Sequence, residues 1–109
     1  MAGTSIAAGV LAVTATLAFG LAAVGGAAVT AQRVAGAADA AALAAADAAS
    51  GAVPAPEGPC ALAARVASAS GTELAQCELA GLVATVTVQA KYAGLAAVSR
   101  ARAGPPEGF

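Results

Sequence analysis

The sequence predicts an α+β protein in which a long N-terminal membrane-spanning helix continues into an extramembrane rod and ends in a small disulfide-stapled head of one short helix and an antiparallel β-hairpin. Three observations carry this prediction. Thr4 to Ala49 is an almost unbroken row of alanine, leucine, valine and glycine with no proline, and its first charge is Arg33. The stretch SGAVPAPEGP, from Ser50 to Pro59, closes that row with prolines and glycines. Beyond it, the hydrophobic period changes from helical to two.

The first element is the span. From Ile6 to Val29 there are about 24 residues without an ionisable group, enough at about 1.5 Å rise per residue to cross a hydrocarbon core of about 30 Å. Lipid offers the backbone no hydrogen-bonding partner, and a helix satisfies its own groups within one segment. Ala31 to Ala49 keeps the alanine density while admitting Gln32, Arg33, Asp39 and Asp47, so the helix leaves lipid there and continues. A continuous rod of roughly 45 residues would be roughly 70 Å long. The units read along the chain are 1–31, the transmembrane helix; 32–50, its extramembrane continuation; 51–59, a Pro/Gly linker; and 60–109, a small αββ head with an irregular tail.

Within the rod, small residues recur every four positions: Ala8, Ala12, Thr16 and Gly20 on one stripe, Ala18, Ala22, Gly26 and Thr30 on another, and Gly36, Ala40, Ala44 and Ala48 beyond the membrane. Such stripes allow close helix approach in lipid, although nearly every stripe of so alanine-rich a helix is small. Gly25-Gly26 reads as a flexible point. No Trp or Tyr flanks the span in sequence.

The head begins with Cys60 to Ser70, a short helix with Pro59 in its first turn, Gly71 as its stop, and Leu62 and Val66 on one face. Thr72 to Leu79 reads as a weak strand. Leu82 to Tyr92 is a stronger one, with Leu82, Ala84, Val86, Val88, Ala90 and Tyr92 facing one way and Thr85, Thr87, Gln89 and Lys91 the other. Ala80-Gly81 would make the turn between them, and the Cys60–Ser70 helix would cover the apolar face. From Gly94 onward the chain reads as short helix or irregular tail.

Cys60 and Cys77 stand 17 positions apart, one on the helix and one on the hairpin, which suits a disulfide; two free buried thiols are the alternative. A metal site lacks partners, since the chain has no histidine and no third cysteine, and a redox pair usually has C-x-x-C spacing. Without histidine, the usual base for a serine or cysteine nucleophile is missing. Asp39 and Asp47 stand about 80° apart round the helix and read as solvated or partner-contacting residues. No glycine-rich phosphate loop follows a strand. The expectation is therefore a non-enzymatic protein without cofactor or small-molecule substrate. Five basic and six acidic residues, spread without a patch and giving a net charge of -1, argue against nucleic-acid binding.

At Gln32-Arg33-Val34-Ala35-Gly36-Ala37-Ala38-Asp39-Ala40-Ala41-Ala42-Leu43-Ala44 the chain resembles the TadE/TadG-like proteins of tight-adherence (Flp) pilus loci, in which an N-terminal membrane helix runs into an A-D-x-A-A-L-A core. The motif residues here are Ala38, Asp39, Ala41, Ala42, Leu43 and Ala44. It is most similar to the small actinobacterial TadE-like proteins encoded near helicase and secretion genes. These share the order of span, motif helix, two cysteines, valine-rich strand and an R-A-R-A-G-P ending, here Arg100 to Pro105. The resemblance implies a minor pilin or pseudopilin-like component of a pilus or secretion apparatus, whose partners are the membrane, other pilin-like or secretion-system membrane proteins and further copies of itself. No Glu stands five residues after Gly3 or Gly9, where prepilin-type processing typically uses one.

Two other readings remain open at this level. Val29-Thr30-Ala31 before Gln32 fits a signal-peptide cleavage site, which would release a small secreted binding protein; against it stand a missing basic n-region and an overlong apolar run. A non-catalytic accessory subunit of a membrane transporter is the other. Arg33 taken alone would place the C-terminal side in the cytoplasm, whereas the cysteine pair favours an oxidising compartment, and the expected location is a single-pass cell-membrane protein with its C-terminal part extracytoplasmic.

Overall fold

Alanine loses no side-chain entropy in a helix, and a run this rich in it winds without interruption. The computed structural model of the chain describes residues 2–106, and its first element, α1, is one helix from Ala2 to Ala49. α2 spans Pro59–Ala69, and three strands follow: β1 (Glu73–Ala80), β2 (Val83–Tyr92) and β3 (Leu95–Ala103). The architecture is the expected α+β class. The final residues of the 60–109 unit, 107–109, lie outside the described residues, as does residue 1.

Both helices end by the same device. After α1, Gly51 at φ 80° lets its own N–H reach the Ala48 carbonyl at 3.2 Å, and the Ala52 N–H reaches that of Asp47 at 2.9 Å. After α2, Gly71 at φ 71° donates to Ser68 at 3.0 Å and Thr72 donates to Ala67 at 3.1 Å. Each pair is a Schellman motif, in which a left-handed residue turns the chain back over carbonyls that would otherwise be orphaned. The Thr72 hydroxyl adds a buried 2.7 Å bond to the same Ala67 carbonyl, tying α2 to the start of β1.

The sheet has the order β1-β2-β3 and is antiparallel throughout. Its third strand corrects the expectation of a short helix or irregular tail after Gly94. Ala97, Ala101 and Ala103 pack against the core while Arg100 and Arg102 are exposed, a period of two hidden in the sequence because alanine carries little strand signal. The first turn is also displaced by one residue: Ala80 pairs with Val83, so the loop is Gly81-Leu82 and Leu82 is a half-exposed turn residue, not the first of the strand.

A bulge in β1 decides which way Cys77 faces. Leu74 pairs with Val88 and Gln76 with Thr87, so Ala75 is the extra residue. Leu74 and Cys77, three apart, would otherwise lie on opposite faces; the inserted residue brings both to the core side. Cys77 thereby meets Cys60 on α2, and the two form a disulfide with Cα atoms 5.9 Å apart.

The core sits between the sheet and the second half of α1. α1 covers β2 and β3, while α2 packs on α1 and β1. The Cys60–Ser70 segment therefore covers one edge of the sheet, and the helix read as a rod supplies most of the cover. Its buried face is Val34, Ala37, Ala38, Ala41, Ala42, Ala45 and Ala46; Gly36 and Ala40 of the four-residue stripe are exposed. On α2 the buried positions are Ala63 and Ala67, with Leu62 and Val66 at the margin. The reason is distance: α2 crosses close to an alanine face, and only methyl groups fit between the backbones.

Among the described residues the buried apolar set is nine alanines and three valines, which makes the core thin. At about 0.8 kcal/mol per buried CH₂, methyl groups yield much less than leucines would. A cross-link over 17 positions is worth about 3 kcal/mol in the chain-entropy model, a substantial share of the margin of so small a unit. Reducing the disulfide, or making Cys60→Ser with Cys77→Ser, is expected to lower head stability by about 2–4 kcal/mol. Urea unfolding in detergent micelles, followed by emission of Tyr92, the sole tyrosine in a chain without tryptophan, checks this.

Candidate membrane and partner surfaces

α1 is two helices in function, divided by what touches it. Along its N-terminal half every apolar side chain is exposed, including Ile6, Leu11, Leu17, Phe19, Leu21 and Val24, and the most apolar window contains no buried residue. The helix is long and apolar enough to cross a membrane and fits a single-pass membrane protein; a signal sequence shares that length and composition. The Thr14 and Thr16 hydroxyls donate to the carbonyls of Val10 and Ala12 at 2.9 Å each, so their polar groups are satisfied inside the helix.

The head reaches further down this helix than the boundary at residues 31 and 32 suggests. Tyr92, at the end of β2, donates its hydroxyl to the Ala23 carbonyl at 2.9 Å. Its ring lies over Gly26, where a Cβ would come within 2.7 Å of the ring Cζ. Gly26 is thus the seat of an aromatic ring, and α1 runs unbroken through Gly25 and Gly26 where the sequence suggested a flexible point. No signal short of the tertiary fold could have paired Tyr92 with Ala23, residues 69 positions apart.

The motif residues divide by face. Ala38, Ala41 and Ala42 are in the core, Ala44 is half-buried, and Asp39 and Leu43, four apart on one side of the helix, face solvent. Asp39 and Asp47 are both exposed. Cys60 and Cys77 are joined as described. Arg100 and Arg102 point from the outer face of β3, while Gly104 sits where a Cβ would press on Val83, 2.9 Å from its Cγ2.

Among the described residues, three shallow recesses stand out along α1. The largest, about 340 Å³, has Thr30, Arg33, Thr72, Glu73, Gln89 and Lys91 in its wall. Another, of about 180 Å³, lies between the helix and the β2–β3 turn, lined by Ala27, Thr30, Tyr92, Leu95, Ala96 and Ala97. The third, at the other end of the head, is bounded by Leu43, Asp47, Ser50, Leu82 and Pro105. Among the described residues no group of three His, Cys, Asp or Glu side chains lies close enough to hold a metal ion. Comparison with protein-family models, curated proteins and solved structures finds no match to this chain.

The two adjacent glycines give an internal control. Gly26→Ala is expected to displace Tyr92 and cost about 1–3 kcal/mol of head docking, as overpacking does. Gly25→Ala meets nothing within 4 Å and should be neutral or stabilise the helix by up to about 1 kcal/mol. The near-ultraviolet circular dichroism of the single tyrosine, lost in the first variant and kept in the second, reads the difference.

Proposed function

We propose that this protein is a membrane-anchored structural subunit, similar to a minor pilin or pseudopilin, of a tight-adherence-type pilus or secretion apparatus. The N-terminal half of α1 holds it in the cell membrane and presents its small-residue stripes to neighbouring helices. The head, stapled by Cys60–Cys77, is displayed on the extracytoplasmic side, where an oxidising compartment maintains the disulfide. Binding, with no chemistry of its own, is its work. The observation that carries this reading is the division of α1: one helix is bare and apolar for about half its length and is the core of a small domain for the other half.

Asp39 and Leu43 are the part of the A-D-x-A-A-L-A segment left outside that core, and we assign them to the partner-facing side. A photoreactive amino acid in place of Leu43 in the native membrane is expected to cross-link to another pilin-like or secretion-system membrane protein, or to a second copy of this chain. The same substitution at Val53, in the linker, serves as the comparison. Recovery of the chain always alone from both positions removes the assembly role.

A second reading has one observation in its favour. The buried face of α1 within the head begins in earnest at Val34, so release after Ala31 would leave most of the core intact as a secreted binding protein. It would also discard Ala23 and Gly26, the seat of Tyr92. Intact mass of the protein from its native membrane is expected to be full-length with both thiols masked; a mass beginning at Gln32 sinks the anchor.

A further inference from the structure

A helix assigned to lipid carries with it whatever is fastened to its side. The Ala23 carbonyl that receives the Tyr92 hydroxyl is level with the exposed side chains of Leu21 and Val24, which the anchor reading places in the membrane. Ala23 is ten residues before Arg33, the first ionisable side chain of α1, or about 15 Å nearer the bilayer centre along the helix. The interfacial layer on each side of a bilayer is only about 5–8 Å deep. With Arg33 at its outer edge, Ala23 lies past the hydrocarbon boundary, and the end of β2, which stands beside Ala27 about 9 Å below Arg33, lies close to that boundary.

What the sheet brings to that depth suits it. Tyr92 pairs with Leu95 across a two-residue loop, Ala93-Gly94, whose φ values of 51° and 81° suit the sharp reversal of a tight hairpin. Leu95 is 75% exposed, the most exposed large apolar side chain among the described residues of the head, and beside it runs the shallow recess lined by Ala27, Tyr92 and Ala96. In water, an isolated leucine at this position buries almost nothing. One residue from Tyr92, Lys91 is exposed, and it shares the larger recess with Arg33 and with Glu73. An amphipathic ring, an apolar tip and a lysine just above them form the arrangement that membrane interfaces favour. The ring's polar end is already satisfied by the helix, so its immersion leaves no donor unpaired.

We propose that the β2–β3 tip, Tyr92 to Leu95, is a second membrane contact that enters the lipid interface beside α1 and fixes the height and tilt of the head. The occupant of this surface is the lipid bilayer. The proposal rests on the anchor reading above. It makes the head and the span one rigid lever: the tip prevents the head from rolling about α1 and holds Asp39 and Leu43 in one direction relative to the membrane plane.

The chain has no tryptophan, so single-tryptophan variants of the full-length protein are clean depth reporters. Phe19→Trp, Leu95→Trp and Val53→Trp, each reconstituted in phosphatidylcholine vesicles with acyl chains brominated either near the headgroup or near the chain end, are compared. Leu95→Trp is expected to lose at least about half its emission with the shallow bromines and less with the deep ones, as an interfacial position requires. Phe19→Trp should respond most to deep bromines and Val53→Trp to neither. Leu95→Trp unquenched beside a quenched Phe19→Trp overturns the tip contact and leaves the anchor standing. Phe19→Trp unquenched overturns both. Equal quenching of Leu95→Trp and Val53→Trp overturns an oriented contact. Tyr92 emission in the unsubstituted chain, reduced by shallow bromines if the tip is immersed and unchanged if it is not, separates the same two outcomes without any substitution in the head.

Discussion

The packing of the Val34–Ala46 face of α1 against the sheet and α2 is the contact on which the remaining structure depends. That face is almost all alanine, and the short side chain sets the distance: backbones approach closely, and neighbouring elements must present methyl groups or valines in return. α2 answers with Ala63 and Ala67, β2 with Ala84, Val86 and Val88, and β3 with Ala97, Ala101 and Ala103 at the margin. Larger side chains sit outside this zone, and Val66 and Leu74 close its edges. A core built this way is dense but small in apolar area, so its hydrophobic stabilisation is modest.

The other devices in the head compensate for that thinness. The disulfide joins α2 to β1, the edge strand that α1 does not cover, and the bulge at Ala75 is what turns Cys77 toward its partner. Schellman endings place the chain after each helix without a long loop, and the buried Thr72 hydroxyl adds a tertiary anchor where α2 becomes β1. Each is local, and together they hold three short strands to a helix that would be formed without them. The exposed Arg65–Glu57 pair, 3.9 Å apart, adds little by comparison.

Because α1 is continuous, the head cannot be described apart from the apolar N-terminal half of that helix. Tyr92 on Gly26 fastens the sheet to the helix before the alanine core begins at Val34, and so sets the angle between the two. This contact also changes what the chain offers a membrane. Read linearly, the apolar run of spanning length has no aromatic belt; in three dimensions a tyrosine from residue 92 stands at its side.

Much of this was legible in the residues. The apolar run before Arg33 determined a helix of spanning length, alanine content and the Ser50-Gly51 stop determined its end, and the alternation from Ala84 to Tyr92 determined the central strand and its buried face. These are properties of local covalent structure and period, which need no knowledge of neighbours. The fold decided the rest: that β3 exists, since alanine, a helix former by propensity, gives a strand no local signal; that Ala63 and Ala67, not Leu62, face inward, since closeness of approach selects the smaller side chain; that a bulge reverses Cys77; and that Gly26 is a seat and not a hinge, since only the ring of Tyr92, far along the chain, gives its missing side chain a purpose.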